Sequence, residues 1–162
     1  MTTESRGMRD PQEQFRQRLA VMKLIHLALV AGVILFGLIV FVLTRSRMKF
    51  DFTFQNPLFV VAGSLAAINI AAASALHKIF FRVGGIPADV EAALRKYQVF
   101  VLTRAALIEG AALFSAVVTL VACNVLPACL LVLCAGALAV YRPSQREFMD
   151  LMRNAALAPK GT

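Results

Sequence analysis

Residues 24–43, LIHLALVAGVILFGLIVFVL, form a run of 20 without a single charge. A helix rises 1.5 Å per residue, so about 20 residues match the roughly 30 Å hydrocarbon core of a bilayer. Working outward from this run, three more appear. Residues 58–76 (LFVVAGSLAAINIAAASAL) make 19 uncharged positions, 105–123 (AALIEGAALFSAVVTLVAC) make 19 with one acid, Glu109, and 125–141 (VLPACLLVLCAGALAVY) make 17 with none. Only Asn124 separates the last two, and Pro127 fits the first turn of a helix, so they are expected to form a tight helical hairpin.

Composition agrees with this reading. Of the 162 residues, 59% are apolar and 16% charged, with mean hydropathy +0.73. A soluble domain is about half apolar and a quarter charged, so the excess needs lipid rather than a protein core. Disorder is excluded by the hydrophobicity, and a disulfide scaffold by the sparse cysteines, three in all. The expected fold is therefore all-α: a polytopic membrane protein with four antiparallel transmembrane helices. Residues 1–23 form a cytoplasmic amphipathic stem, 24–141 the transmembrane domain, and 142–162 a cytoplasmic tail.

Charge placement sets the expected orientation. The tails, the central loop and its flanks hold 14 of the 17 basic residues, leaving Arg45, Arg47 and Lys49 on the other side. Positive segments stay cytoplasmic, so both termini are placed on the cytoplasmic face of a bacterial inner membrane. The first run is too long for a signal-peptide core, and Thr44-Arg45-Ser46-Arg47 is no cleavage site, so it reads as an uncleaved anchor. The net charge of +8 is spread over three segments beside apolar helices; it fits anionic lipid headgroups, and nucleic acid is not expected as a partner.

Two capping patterns mark helix starts outside the spans. Asp10-Pro11-Gln12-Glu13 opens the stem, in which Phe15, Leu19 and Met22 share a face, and Ser144-Gln145-Arg146-Glu147 precedes Phe148, Leu151 and Met152 in a short amphipathic tail helix. Between the second and third spans, Arg82-Val83-Gly84-Gly85-Ile86-Pro87 breaks the chain. In the external loop, Phe50, Phe52 and Phe54 alternate with polar residues, as in an extended segment. A weak internal repeat lays residues 28–40 over 106–118 with six identities in thirteen, which suggests a duplicated helical hairpin. Ala31 then corresponds to Glu109, and His26 to Arg104.

Ionisable residues within a span face the bundle interior or a polar cavity. Glu109 is the acid to place. Asn69, on a face with Ala62, Ala66 and Ala73, is its expected partner across a close contact with Ala105, Ala112 and Ala116. Arg104 joins this buried polar network, with His77 and His26 near the cytoplasmic helix ends. The two histidines lack ligand spacing, and Cys123, Cys129 and Cys134 form no C-x-x-C pair. No nucleotide-binding, hydrolase or metalloprotease motif occurs, so neither a catalytic residue, a metal nor a cofactor is assigned.

The Ala-rich second span, the turn ending in Gly-Gly-Ile-Pro, and Arg104 followed by Ala106-Leu107-Ile108-Glu109-Gly110-Ala111-Ala112-Leu113-Phe114 resemble the helical hairpin of the proteolipid c subunit of rotary ATP synthases. That resemblance implies a proton- or cation-binding role for Glu109. Over its whole length the chain is also similar to an uncharacterised family of four-helix bacterial membrane proteins with the same R-x-x-x-x-E-G pattern, which implies no activity. The expected function is a non-enzymatic subunit or interaction module, homo-oligomeric or bound to a membrane-complex partner. Proton or cation handling through Glu109 is the alternative.

Overall fold

The computed structural model describes residues 11–50, 56–80 and 90–157. Asp10 of the first capping pattern, Phe52 and Phe54, and the 82–87 turn lie outside the described residues. Within them the chain is helical: α1 (Pro11–Thr44), α2 (Pro57–Lys78), α3 (Val90–Ala122), α4 (Val125–Val140) and α5 (Gln145–Leu157). Stretches of α1, α2 and α3 are long and apolar enough to cross a membrane, and α4 is a shorter apolar helix.

Local chemistry accounts for the boundaries. Pro11 and Pro57 occupy first helical positions, where the missing N–H breaks no bond. Asn56 and Asn124 each accept a hydrogen bond from the backbone N–H two residues on, at Leu58 and Leu126, and so cap α2 and α4. Between α3 and α4 the chain reverses in two residues, with Cys123 at φ 48° doing what glycine usually does at a helix C-terminus. Lys49 pairs with this turn, donating its N–H to the Cys123 carbonyl at 2.8 Å and accepting from Val125 N–H at 3.1 Å.

Contacts along the helices set their directions. Phe59 and Ala62 near the start of α2 pack with Val118 near the end of α3, whereas Leu76 and Phe80 reach Phe100 and Tyr97. Thus α2 runs against α3. Lys49 beside Asn124 and Leu19 beside Leu94 make α1 parallel to α3, and α4 returns antiparallel to both. The start of α1, the end of α2 and all of α5 consequently meet at one end.

α3 is the central helix, touching α1, α2 and α4. In its most apolar stretch 44% of residues are buried, against 17% for α1. The difference separates a core helix from one whose apolar side faces outward. Ala66 and Ala73 of α2 pack with Ala105, Ala112 and Ala116 of α3, the small-residue contact expected from the spacing; small side chains bring helix backbones close. A second close approach lies at Gly37, where a Cβ would come within 3.1 Å of Leu131 on α4.

The repeated segments share a burial register. Val33 and Val40 are buried, as are their counterparts Ala111 and Val118, while Leu35 and Leu113, and Ile39 and Val117, are exposed. α3 additionally buries Ala112, Ser115 and Ala116, whose counterparts on α1 lie outward or half-covered. Central placement explains the extra burial.

Candidate functional site

The end of α4 is where the polar chemistry gathers. A helix leaves its last carbonyls without intrahelical partners, and α4 has no glycine cap to close them. Side chains from other helices take them instead. His26 of α1 places Nε2 3.0 Å from the Leu138 carbonyl; a carbonyl only accepts, so Nε2 carries the proton and donates. Arg104 of α3 donates through Nη2 to the Tyr141 carbonyl at 3.2 Å. Positive or donor groups are favoured at a helix C-terminus by the dipole as well. The two residues related by the internal repeat therefore do the same job on α4, three residues apart. Ser74 of α2 adds a 3.3 Å contact to the Tyr141 hydroxyl.

Arg104 is buried, and its charge is met from the tail. Nη1 donates to Glu147 Oε1 at 2.9 Å and Nη2 to Oε2 at 3.4 Å, an almost parallel two-point pairing that matches the planar fork. The guanidinium also lies 4.8 Å from the Phe100 ring centre and 4.9 Å from that of Tyr141, placing it between two aromatic faces. Side-chain exposure is 7% for Arg104 and 25% for Glu147. Removing either partner strands a desolvated charge, which costs more than the intact pair contributes.

Tyr97, about two helical turns further from the centre of α3, completes the arrangement. Its hydroxyl donates to Glu147 Oε2 at 2.8 Å and accepts from Ser144 N–H at 3.3 Å. The Ser144–Glu147 capping pattern is thus half direct and half relayed. Ser144 Oγ accepts from Glu147 N–H at 3.1 Å as expected, but the return bond, from the Glu147 carboxylate to the cap N–H, runs through Tyr97. That diversion lets one carboxylate serve the cap and Arg104 together. Phe148 closes the apolar side, edge-on to Tyr97 at 5.4 Å and packed with Leu19, Met22 and Val101.

The expected network is divided. His26 and Arg104 come together on the α4 terminus. Glu109 is half-buried near exposed Ala106, Gly110 and Leu113, and neither it nor half-buried Asn69 makes a side-chain hydrogen bond or ion pair among the described residues. Arg104 pairs with Glu147, from the tail helix, and not with Glu109. The His77 side chain lies outside the described residues. Sequence reading missed Tyr97 and Glu147. Tyr97, Phe100 and Arg104 form an i, i+3, i+7 stripe on the inner face of α3, which was the available signal. Among the described residues no group of three or more His, Cys, Asp or Glu is placed to hold a metal ion.

No family model, curated protein or solved structure matches this chain.

Proposed function

We propose that the chain is a small integral membrane protein of four spans, 24–43, 58–76, 105–123 and 125–141, with both tails on the cytoplasmic side of a bacterial inner membrane. It acts as a non-enzymatic subunit or interaction module. The outward apolar side of α1, with Leu24, Leu27, Leu35, Leu38, Phe41 and Val42 exposed, supports lipid or a neighbouring membrane helix as its surroundings. The observation that carries the functional reading is the convergence of α1, α2, α3 and α5 on the end of α4. Arg104 and Glu147 are fully engaged in holding the tail helix against the α3 stem, so their role is to fix a platform. The small-residue face between α2 and α3 is used within the chain, which leaves the outer side of α1 for a second copy or a membrane partner.

Single cysteines placed in a background lacking Cys123, Cys129 and Cys134 test the topology. In intact cells an impermeant maleimide should label position 46, and it should reach position 153 only after permeabilisation. Labelling of both from outside, or release of the chain by alkaline carbonate, would overturn the reading. Mild-detergent purification with mass spectrometry then identifies the associated copies or partners.

A second reading, proton or cation handling, is supported by Glu109 alone: a half-exposed carboxyl beside Gly110, with no polar partner among the described residues. Carbodiimide labelling of Glu109 slowed by sodium or alkaline pH would favour it, and labelling indifferent to both would remove it.

A further inference from the structure

Beside the α4–α5 corner lies a cleft of about 1090 Å³ between α1 and the turn that carries Pro143 and Ser144. Its charged lining is Lys23, Arg142 and Arg146 against a single acid, Asp150. Among the described residues none of the three cations is in a salt bridge. The α5 N-terminus opens on the same cleft through Ser144, Gln145 and Arg146, adding the positive end of a 13-residue helix and the early peptide N–H groups that a cap leaves open. Leu27, Val30 and Ala139 supply an apolar wall, and Leu27 is continuous with the exposed apolar side of α1.

A second observation points to a ligand. His26 forms part of the cleft wall and is only 7% exposed. Its Nε2 proton is committed to the Leu138 carbonyl, so Nδ1 in the neutral ring is an acceptor, buried and without a partner. Burial of an unpaired acceptor is costly, and a hydroxyl group is the donor it lacks.

We propose that this cleft is a binding site for one anionic glycerophospholipid whose headgroup carries a hydroxyl, as phosphatidylglycerol does. Lys23, Arg142 and Arg146 with the α5 N-terminus hold the phosphate, the headgroup hydroxyl donates to His26 Nδ1 once the ring edge, closed to solvent here, turns toward the cleft, and Leu27, Val30 and Ala139 receive the upper acyl chain. Basic groups at the start of an apolar run, with apolar wall below them, present an amphiphile with its two ends in the right order. A cleft of this volume exceeds what a bare phosphate fills and suits a headgroup with its first methylenes. The inference rests on the membrane reading above and deepens it.

The test is native mass spectrometry of the full chain in mild detergent, titrated with dioctanoyl phosphatidylglycerol, phosphatidic acid, phosphatidylcholine or inorganic phosphate. One phosphatidylglycerol should bind saturably, at least tenfold tighter than phosphatidylcholine, and Arg142→Gln with Arg146→Gln should weaken it at least tenfold. The charge-matched control Arg45→Gln with Arg47→Gln, at the other end, should leave it unchanged. His26→Phe should abolish the preference over phosphatidic acid; because His26 also caps α4, unchanged α-helical content by circular dichroism must accompany that result, and Arg142 and Arg146, whose side chains make no hydrogen bond or ion pair among the described residues, provide the independent variant. Equal loss in both arginine pairs, equal binding of phosphatidylcholine, or inorganic phosphate binding as tightly as the lipid would each overturn the site. Failure here with retained carbonate resistance and topology sinks the site alone; release by carbonate sinks the membrane reading beneath it.

Discussion

Arg104 and Glu109 stand on the same central helix, about one and a half turns apart, in contrasting surroundings. Around Arg104 the protein is built inward: two aromatic rings, the Glu147 carboxylate and a helix-terminal carbonyl enclose the guanidinium. Around Glu109 it is built outward, with exposed Ala106 and Gly110 beside a half-buried carboxyl. An ionisable residue in an apolar sequence is therefore no guide to a buried network until its partners are known. Arg104 has a partner because the tail returns to it, while the small residues near Glu109 serve the close approach of α2 and α3.

The sharpest way to break this contrast is to remove the tail's carboxylate. Glu147→Ala should destabilise the fold by about 3 kcal/mol, because a buried guanidinium is left uncompensated. Chemical unfolding in detergent measures the loss, and proteolysis of a freed α5 should report the same event; stability within error of the parent would make the ion pair a bystander. Tyr97→Phe keeps the ring against Phe148 and removes only the hydroxyl that joins Ser144 to Glu147. A loss of about 1 kcal/mol is expected, with the proteolytic nick falling in α5 and not elsewhere.

At the opposite end of the molecule, Cys123→Gly relieves a left-handed backbone conformation and should raise stability by up to about 1 kcal/mol. Its additivity with Glu147→Ala in the same unfolding experiment would show that the two ends are energetically separate. The smallest effect belongs to Glu109→Gln, which should alter stability by less than about 0.5 kcal/mol. A larger drop would mean that Glu109 is paired in an assembly of copies, and the contrast would then hold only within one chain.

How far the sequence was legible follows from the range of each interaction. Uncharged runs locate α1, α2 and the α3–α4 reversal because helix length is a local property, and the alanine spacing located the α2–α3 contact. The Ser144–Glu147 pattern correctly placed the start of α5. It concealed the site for the same reason: a capping glutamate looks satisfied by its own helix, so nothing marked Glu147 as the partner of an arginine 43 positions earlier. Tyr97 shares a helical stripe with Phe100 and Arg104, so the packing of its ring is legible in the spacing, but the relay made by its hydroxyl is not. His26 and Arg104 were matched by the repeat, but their shared task became visible only once α4 was seen to end without a glycine cap.

The central claim, that Arg104 and Glu147 hold each other and thereby the tail, is tested most directly by a double-mutant cycle in which Arg104→Met and Glu147→Leu are unfolded separately and together. The account predicts a coupling of about 2–3 kcal/mol, the double variant being far milder than the sum of the single ones. Losses that simply add, to within about 0.5 kcal/mol, would contradict it.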